Sequence, residues 1–221
     1  MDSGKNNSNS SHCCLLCGAS EIYHFYFDQR LTREFYQCQA CELVFVPSEF
    51  HLCPKEEKEI YDHHDNNPND PNYRSFLNKL GSVMIENLPT ASQGLDFGSG
   101  PGPTLSLIFK EAGHECEIYD KFYADDKEKL NTEYDFISST EVVEHLDAPS
   151  QTFELLFSLL RANGILGLMT KLHTQNIDFG GWHYKNDPTH ICFYNPATMQ
   201  YLANRFNKQL TIIGSDVILF T

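Results

Sequence analysis

The sequence predicts an α/β fold with a parallel sheet, preceded by a small cysteine-based module. Three observations carry this expectation. From Gly94 onward, short apolar runs alternate with segments of helical periodicity, the pattern of parallel strands joined by crossover helices. The first of these runs, Gly94-Leu95-Asp96-Phe97, delivers the chain into Gly98-Ser99-Gly100-Pro101-Gly102. Upstream, four of the eight cysteines fall into two Cys-x-x-Cys pairs.

Residues 1–12 are polar and rich in Ser and Asn, without the apolar stretch of a secretory signal, and we expect a frayed tail on a cytoplasmic protein. No apolar run approaches the ~18 residues of a membrane span. The first module occupies 13–47. Cys14 and Cys17 form one knuckle, and Gly18 suits the turn behind it. Short strands follow over 22–27 and 34–36, then the knuckle of Cys38 and Cys41, then an exit strand over 43–46 that Pro47 stops. In a chain without an export signal this pattern favours a metal over disulfides. Thiolates are soft ligands, and four of them make a closed tetrahedral shell suited to structural Zn2+. Cys13 adjoins Cys14 and is an alternative ligand, whereas Cys116 and Cys192 read as buried thiols.

Residues 48–72 form a connector, with a charged helical piece near 55–61 and the turn-rich run Asp65-Asn66-Asn67-Pro68-Asn69-Asp70-Pro71. The main domain then spans 73–221. Phe76, Leu77, Leu80, Val83, Met84 and Leu88 recur at helical spacing over 73–87. Beyond Gly94 the expected order is strand 94–97, helix 103–112, strand 115–119, strand 134–138, helix 150–161, strand 165–170, a long loop over 171–194, helix 196–205, and closing strands at 210–213 and 217–220. Asn163-Gly164 marks a turn before 165, and Glu141-x-x-Glu144-His145 starts a helix.

A glycine-rich loop between strand and helix lets the backbone approach a ligand closely. Alone it is a weak signal, shared by dinucleotide and phosphate sites. Two features sharpen it. No Gly-Lys-Ser/Thr follows, which argues against a nucleoside triphosphate, and Asp120 ends the second strand, where a carboxylate can accept both ribose hydroxyls of a nucleoside cofactor.

Residues 94–147 resemble the class I S-adenosylmethionine-dependent methyltransferases. The match runs through Leu95-Asp96-Phe97-Gly98-Ser99-Gly100-Pro101-Gly102, Tyr119-Asp120, and Tyr134 to Leu146. It continues through Gly164 to Thr170 and Trp182 to Tyr194, and it is similar in particular to compact bacterial enzymes with an N-terminal four-cysteine zinc ribbon. The resemblance implies a Rossmann-like sheet behind that ribbon. It also implies that Asp96, Gly98, Gly100 and Gly102, with Ser99 in the same loop, bind the methionine end of the cofactor. Asp120 then holds the ribose, and Ser139, Thr140 and Glu141 lie beside the cofactor. Only Lys121 to Glu133 separates Asp120 from the next strand, too little for the usual third strand and its helix, so that strand is missing or vestigial. Asp125 and Asp126 are weak candidates for the adenine.

On the acceptor side, methyl transfer asks mainly for alignment and, where the acceptor carries a proton, for a base. Glu141, His145, His173, His183 and His190 are candidate bases, with His190 first; for Glu144 and His145 a structural role is as good a reading. Trp182 and Tyr184 either wall a pocket or simply pack, and an Asp187–His190 hydrogen bond that fixes the loop is the bland alternative for His190. We expect a small-molecule acceptor, a sugar or metabolite methylated on O, N or C. An RNA acceptor is the alternative among enzymes, and a non-catalytic cofactor-binding module the alternative outside them. Charge weighs against nucleic acid: the net charge is −14, twelve acids face three lysines between Glu111 and Asp147, and the cysteine module carries two arginines and no lysine.

Overall fold

The computed structural model describes residues 12–63 and 66–221. The expected tail lies outside the described residues as far as position 11, as does Asp65 of the turn-rich run.

The chain opens with β1 (Ile22–Asp28), β2 (Arg33–Cys38) and β3 (Val44–Phe45), an antiparallel meander with one cysteine knuckle before β1 and the other between β2 and β3. Two helices lead on to the main sheet, α1 (Pro54–Tyr61) and α2 (Pro71–Asn87). Proline begins each where its missing N–H costs nothing, and the Asp70 carboxylate accepts from the Asn72 amide to cap α2. α2 buries Leu77, Leu80 and Met84, the stripe expected from their spacing.

The main sheet then builds from β4 (Gln93–Phe97), α3 (Thr104–Glu111), β5 (Glu115–Tyr119), β6 (Tyr134–Thr140), α4 (Pro149–Ser158) and β7 (Leu160–Met169). After β8 (Cys192–Phe193) and α5 (Pro196–Arg205), an antiparallel hairpin of β9 (Leu210–Ile213) and β10 (Val217–Phe220) completes it. The spatial order is β5-β4-β6-β7-β10-β9, parallel from β5 to β7 and antiparallel at β10 and β9. Among the described residues, the link from Lys121 to Glu133 adds no strand to this sheet and holds one 3-10 turn, Lys127–Asn131. β5 is therefore the sheet edge, as the short spacing implied.

Three local expectations need correction. The helix expected over 150–161 stops at Ser158, and the following strand starts at Leu160 rather than 165. Asn163, at φ 64°, serves as a left-handed bulge within β7 instead of a turn before it, and the Arg161 guanidinium is held by Asp135 at 3.0 Å. Glu144 and His145 belong to a single 3-10 turn, Val143–His145, and α4 begins only at Pro149. The long loop is also not wholly irregular. Its strand β8 pairs with β3 and makes the cysteine meander a four-stranded sheet, β1-β2-β3-β8.

That pairing has a packing counterpart. Leu16, Phe35 and Phe45 from the cysteine module share one apolar cluster with Phe153, Tyr194, Met199 and Phe220 of the main domain. A second cluster, with Leu80, Met84, Phe109 and Phe136, fills the opposite face of the main sheet beneath α2 and α3.

Candidate active site

The carboxyl edge of the parallel strands opens into a cavity of about 660 Å³. At one end stands the glycine loop. Gly98 and Gly100 take φ values of 79° and 64°, in the left-handed region that glycine enters freely. A side chain on Gly98 would be driven into Val142. The Tyr119 carbonyl accepts from the Gly98 and Ser99 amides at 2.7 and 3.2 Å, which hangs the loop on the end of β5. Asp120 is the hub: its carboxylate accepts from the amides of Gly100 (2.9 Å), Phe122 (2.8 Å) and Tyr123 (3.1 Å). Two carboxylate oxygens offer about four acceptor positions, so three amides leave capacity for a hydroxyl. Behind the loop, Asp96 accepts from the Ser138 hydroxyl at 2.9 Å, and burial pushes its carboxyl up to about 7.

Gly98, Ser99, Gly100, Asp96 and Asp120 all border the cavity, as do Thr140 and Glu141 at the end of β6. Gly102 does not. Its bare Cα lets the Asn66 backbone of the connector lie directly against the loop. Ser139 is likewise fully buried beside the cavity rather than on it. Asp125 pairs with Lys127 at 2.6 Å and Asp126 caps the 3-10 turn, and neither borders the cavity; Phe122 and Tyr123 do. The residue set fits a nucleoside cofactor: a glycine cradle, an amide-held carboxylate and the buried Thr140 hydroxyl, which has no partner among the described residues.

At the other end, Glu141 sits at φ 52°, a conformation that costs a non-glycine residue energy and recurs at functional sites. Its amide donates to the Met169 carbonyl at 2.8 Å, and burial pushes its carboxyl up to about 7. Glu144 is fully buried; burial first, and then the neighbouring Glu141, raises its carboxyl to about 8. One Glu144 oxygen accepts from the Tyr184 hydroxyl, which lies 3.2 Å from the Thr170 hydroxyl. The other has no partner among the described residues. His145 and His190 stand with ring centres 4.7 Å apart, His190 against Tyr184, and burial lowers both imidazoles below the usual histidine range. Asp187 Oδ2 lies 3.9 Å from His190 Nε2, beyond hydrogen-bond reach, so it does not fix that ring. The ring is set instead by its Nδ1, 2.7 Å from the Tyr184 carbonyl. His183, Tyr184 and His190 border the cavity, whereas His173 and Trp182 pack in an aromatic cluster with Phe179.

Two buried cations of different origin hold this loop. Lys185 carries no exposed surface and donates to Asp28 at the end of β1. Arg33, on β2, donates to the carbonyls of Asp187 (3.1 Å), Pro188 (3.1 Å) and His190 (2.7 Å). The cysteine sheet is thus the template for this end of the cavity. Sequence reasoning missed this, along with the wall that Glu57 and Tyr61 of α1 contribute.

The four knuckle cysteines converge as expected. Cys14 and Cys41 sulfurs lie 3.5 Å apart, Cys17 and Cys38 sulfurs 3.4 Å apart, and all four fall within 4.8 Å of one another. None is in a disulfide. A tetrahedral ion at Zn–S distances of about 2.3 Å separates its sulfurs by about 3.8 Å, so the cluster fits one. Cys13 is exposed and outside it.

An open parallel-rich sheet, a glycine loop after its first strand and a carboxylate after its second define a nucleoside-cofactor enzyme of the class I S-adenosylmethionine type. Comparison with known sequences agrees: the chain belongs to the methyltransferase domain family, whose sequence model matches residues 61–211. No curated protein matches the sequence. Among solved structures, the 1,6-didemethyltoxoflavin-N1-methyltransferase of Burkholderia thailandensis, with bound 1,6-didemethyltoxoflavin and S-adenosylhomocysteine, is similar at a TM-score of 0.55 and 12% identity, over 89% of this chain and 96% of that one. CalO1, a methyltransferase of calicheamicin biosynthesis in its S-adenosylhomocysteine-bound form, is similar at 0.52 and 12%, over 68% of this chain and 54% of that one. The chain therefore spans about half the length of CalO1. Among the described residues, no helix is long and apolar enough to cross a membrane.

Proposed function

We propose that the protein transfers the methyl group of S-adenosylmethionine to a small-molecule acceptor, a sugar or metabolite. The observation that carries this reading is the single cavity with a nucleoside-type cradle at one end and titratable and aromatic side chains at the other. When bound, S-adenosylmethionine supplies an electrophilic methyl on a sulfonium. The chain's part is to hold the two reactants in line and keep water out. Gly98, Ser99, Gly100 and Asp96 would hold the methionine end, Asp120 the ribose, and Thr140 and Glu141 the edge between cofactor and acceptor. His190, kept neutral by burial, offers a lone pair for the acceptor's proton, and Tyr184 orders the wall beside it.

Charge favours a small acceptor over RNA. Glu57, Asp120, Glu141, Asp147 and Asp187 border the cavity against Lys121 and Lys171, a rim that repels a polyphosphate. We also assign the four thiolates to one Zn2+ that ties the knuckles together without an open coordination position. Incubating protein and S-adenosylmethionine with fractionated cell extract, followed by mass spectrometry, tests the acceptor class. The expected result is a cofactor-dependent gain of one methyl in the small-molecule fraction. Methylation confined to RNA would replace this reading, and cofactor binding without any methylated product would point to the non-catalytic module.

A further inference from the structure

The side chains of Glu144, His145 and His190 converge at one end of the cavity, one possible ligand atom from each lying within 4.8 Å of the others. The His145 Nδ1 lies 3.1 Å from the Thr189 carbonyl and the His190 Nδ1 lies 2.7 Å from the Tyr184 carbonyl. A carbonyl only accepts, so each Nδ1 carries the ring proton and each Nε2 keeps its lone pair. One Glu144 oxygen is buried with no partner among the described residues, and Asp187 Oδ2 lies 3.9 Å from the His190 Nε2. A polar atom buried without a partner is costly unless something binds it.

We propose that Glu144, His145 and His190 bind a divalent first-row metal ion, with its open positions turned toward the methyl acceptor. One ligand atom from each residue lies within 4.8 Å of the other two. Ligands at about 2.0–2.2 Å from a common ion stand about 3–4.5 Å from each other, so small side-chain rotations close the shell. Two imidazoles and a carboxylate suit Mn2+, Fe2+ or Zn2+ rather than an ion that demands only oxygen. The outer contacts are those of a built metal site. Backbone carbonyls orient both imidazoles, and the Tyr184 hydroxyl, itself beside Thr170, holds the carboxylate. His145 and His190 border the cavity while Glu144 lies behind them, which turns the vacant positions toward the acceptor.

For catalysis this inference rests on the methyl-transfer reading and narrows it to an oxygen-bearing acceptor. A hydroxyl bound to the ion loses its proton to water more readily. Its oxygen then forms the new O–CH3 bond as the S–CH3 bond breaks, and the electron pair stays on sulfur. His190 is then a ligand, and the acceptor's proton does not pass to its ring.

Mn2+, which thiolates bind poorly, probes this site beside the cysteine cluster. The full chain, purified without chelator, is titrated with Mn2+ and the free ion followed by electron paramagnetic resonance, with S-adenosylhomocysteine calorimetry on the same preparation. We expect one Mn2+ per chain, weakened by at least about tenfold in Glu144→Gln and in His190→Gln. Selective broadening of the His145 and His190 ring resonances by Mn2+ in the unmodified protein locates the ion without relying on a variant to fold. No Mn2+ binding up to millimolar concentration, or binding that leaves both rings sharp, overturns the site. S-adenosylhomocysteine binding without Mn2+ binding likewise removes the metal and leaves methyl transfer. Mn2+ on these residues without S-adenosylhomocysteine binding supports the metal and removes methyl transfer.

Discussion

Replacing Asp28 with Asn separates the two ends of the cavity in one experiment. In the native chain the Lys185 ammonium is fully buried and meets one Asp28 oxygen, while the other accepts from the Arg30 amide at 2.9 Å and the Leu31 amide at 3.3 Å. Asparagine keeps an oxygen for the two amides but turns an NH2 group toward the ammonium, donor against donor. Breaking a buried pair by removing one partner costs about 3–5 kcal/mol. Lys185 retains the Asn186 side chain at 3.2 Å and the face of Tyr26 at 5.5 Å, which places the expected loss at the lower end, about 3 kcal/mol. For a chain of this size that lowers Tm by about 6–12 °C. Lys185 holds the Asp28 carboxyl well below the usual carboxylate range, so its contribution is fully present above about pH 4 and is lost as the pH falls toward the depressed folded value. The difference between Asp28→Asn and the unmodified protein should therefore shrink below about pH 4. Urea unfolding across pH measures it. Because β4 and β5 build the cofactor end, S-adenosylhomocysteine affinity should stay within about twofold while turnover falls. A stability loss below about 1 kcal/mol, or an equal collapse of cofactor affinity, would refute the claim that Asp28 and Lys185 brace the acceptor side.

Asp120→Ala should weaken S-adenosylhomocysteine binding by at least about tenfold in calorimetry, since hydrogen bonds to a charged group are worth about 1.5–3 kcal/mol; unchanged affinity would remove Asp120 from the ribose. Gly98→Ala combines a left-handed backbone with a clash against Val142, and should abolish measurable cofactor binding while far-UV circular dichroism shows the sheet retained. Asp96, raised to about 7 by burial, makes the cofactor-free protein less stable as pH climbs from about 4 toward 7, because the unfolded chain gives up that proton first. The cofactor's ammonium prefers the ionised form, so affinity should strengthen through pH 7 and flatten in Asp96→Asn; a flat native profile contradicts it. Chelator treatment followed by Mn2+, which the thiolates of Cys14, Cys17, Cys38 and Cys41 bind poorly, should leave Tm and turnover both low, because β3 carries β8 and with it the loop after β7. Full turnover in protein that holds Mn2+ alone would show that the knuckles stand without an ion.

Much of this was legible in the sequence wherever local chemistry decides. The glycine loop, the Pro196 helix start, the cysteine knuckles and the missing strand after Asp120 all follow from residues a few positions apart. The misread elements depend on distant partners. Cys192–Phe193 is too short to signal a strand and becomes one only because β3 offers an edge. Leu160 and Arg161 look like the end of a helix until Tyr134 and Asp135 draw them into the sheet. The same limit hid the acceptor side. Asp28 and Lys185 read separately as an ordinary strand acid and a loop lysine, and nothing local shows that 157 positions of chain fold back to pair them in the interior. Glu144 was similarly ambiguous, since its orphaned oxygen is a property of packing alone.

Whether the cavity beneath Gly98, Ser99 and Gly100 takes S-adenosylmethionine is decided by isothermal titration of the metal-replete protein with S-adenosylhomocysteine. Saturable binding of one molecule per chain at micromolar concentrations is expected, weakened in Asp120→Ala. Absence of heat and of competition with S-adenosylmethionine at high micromolar concentrations would contradict it.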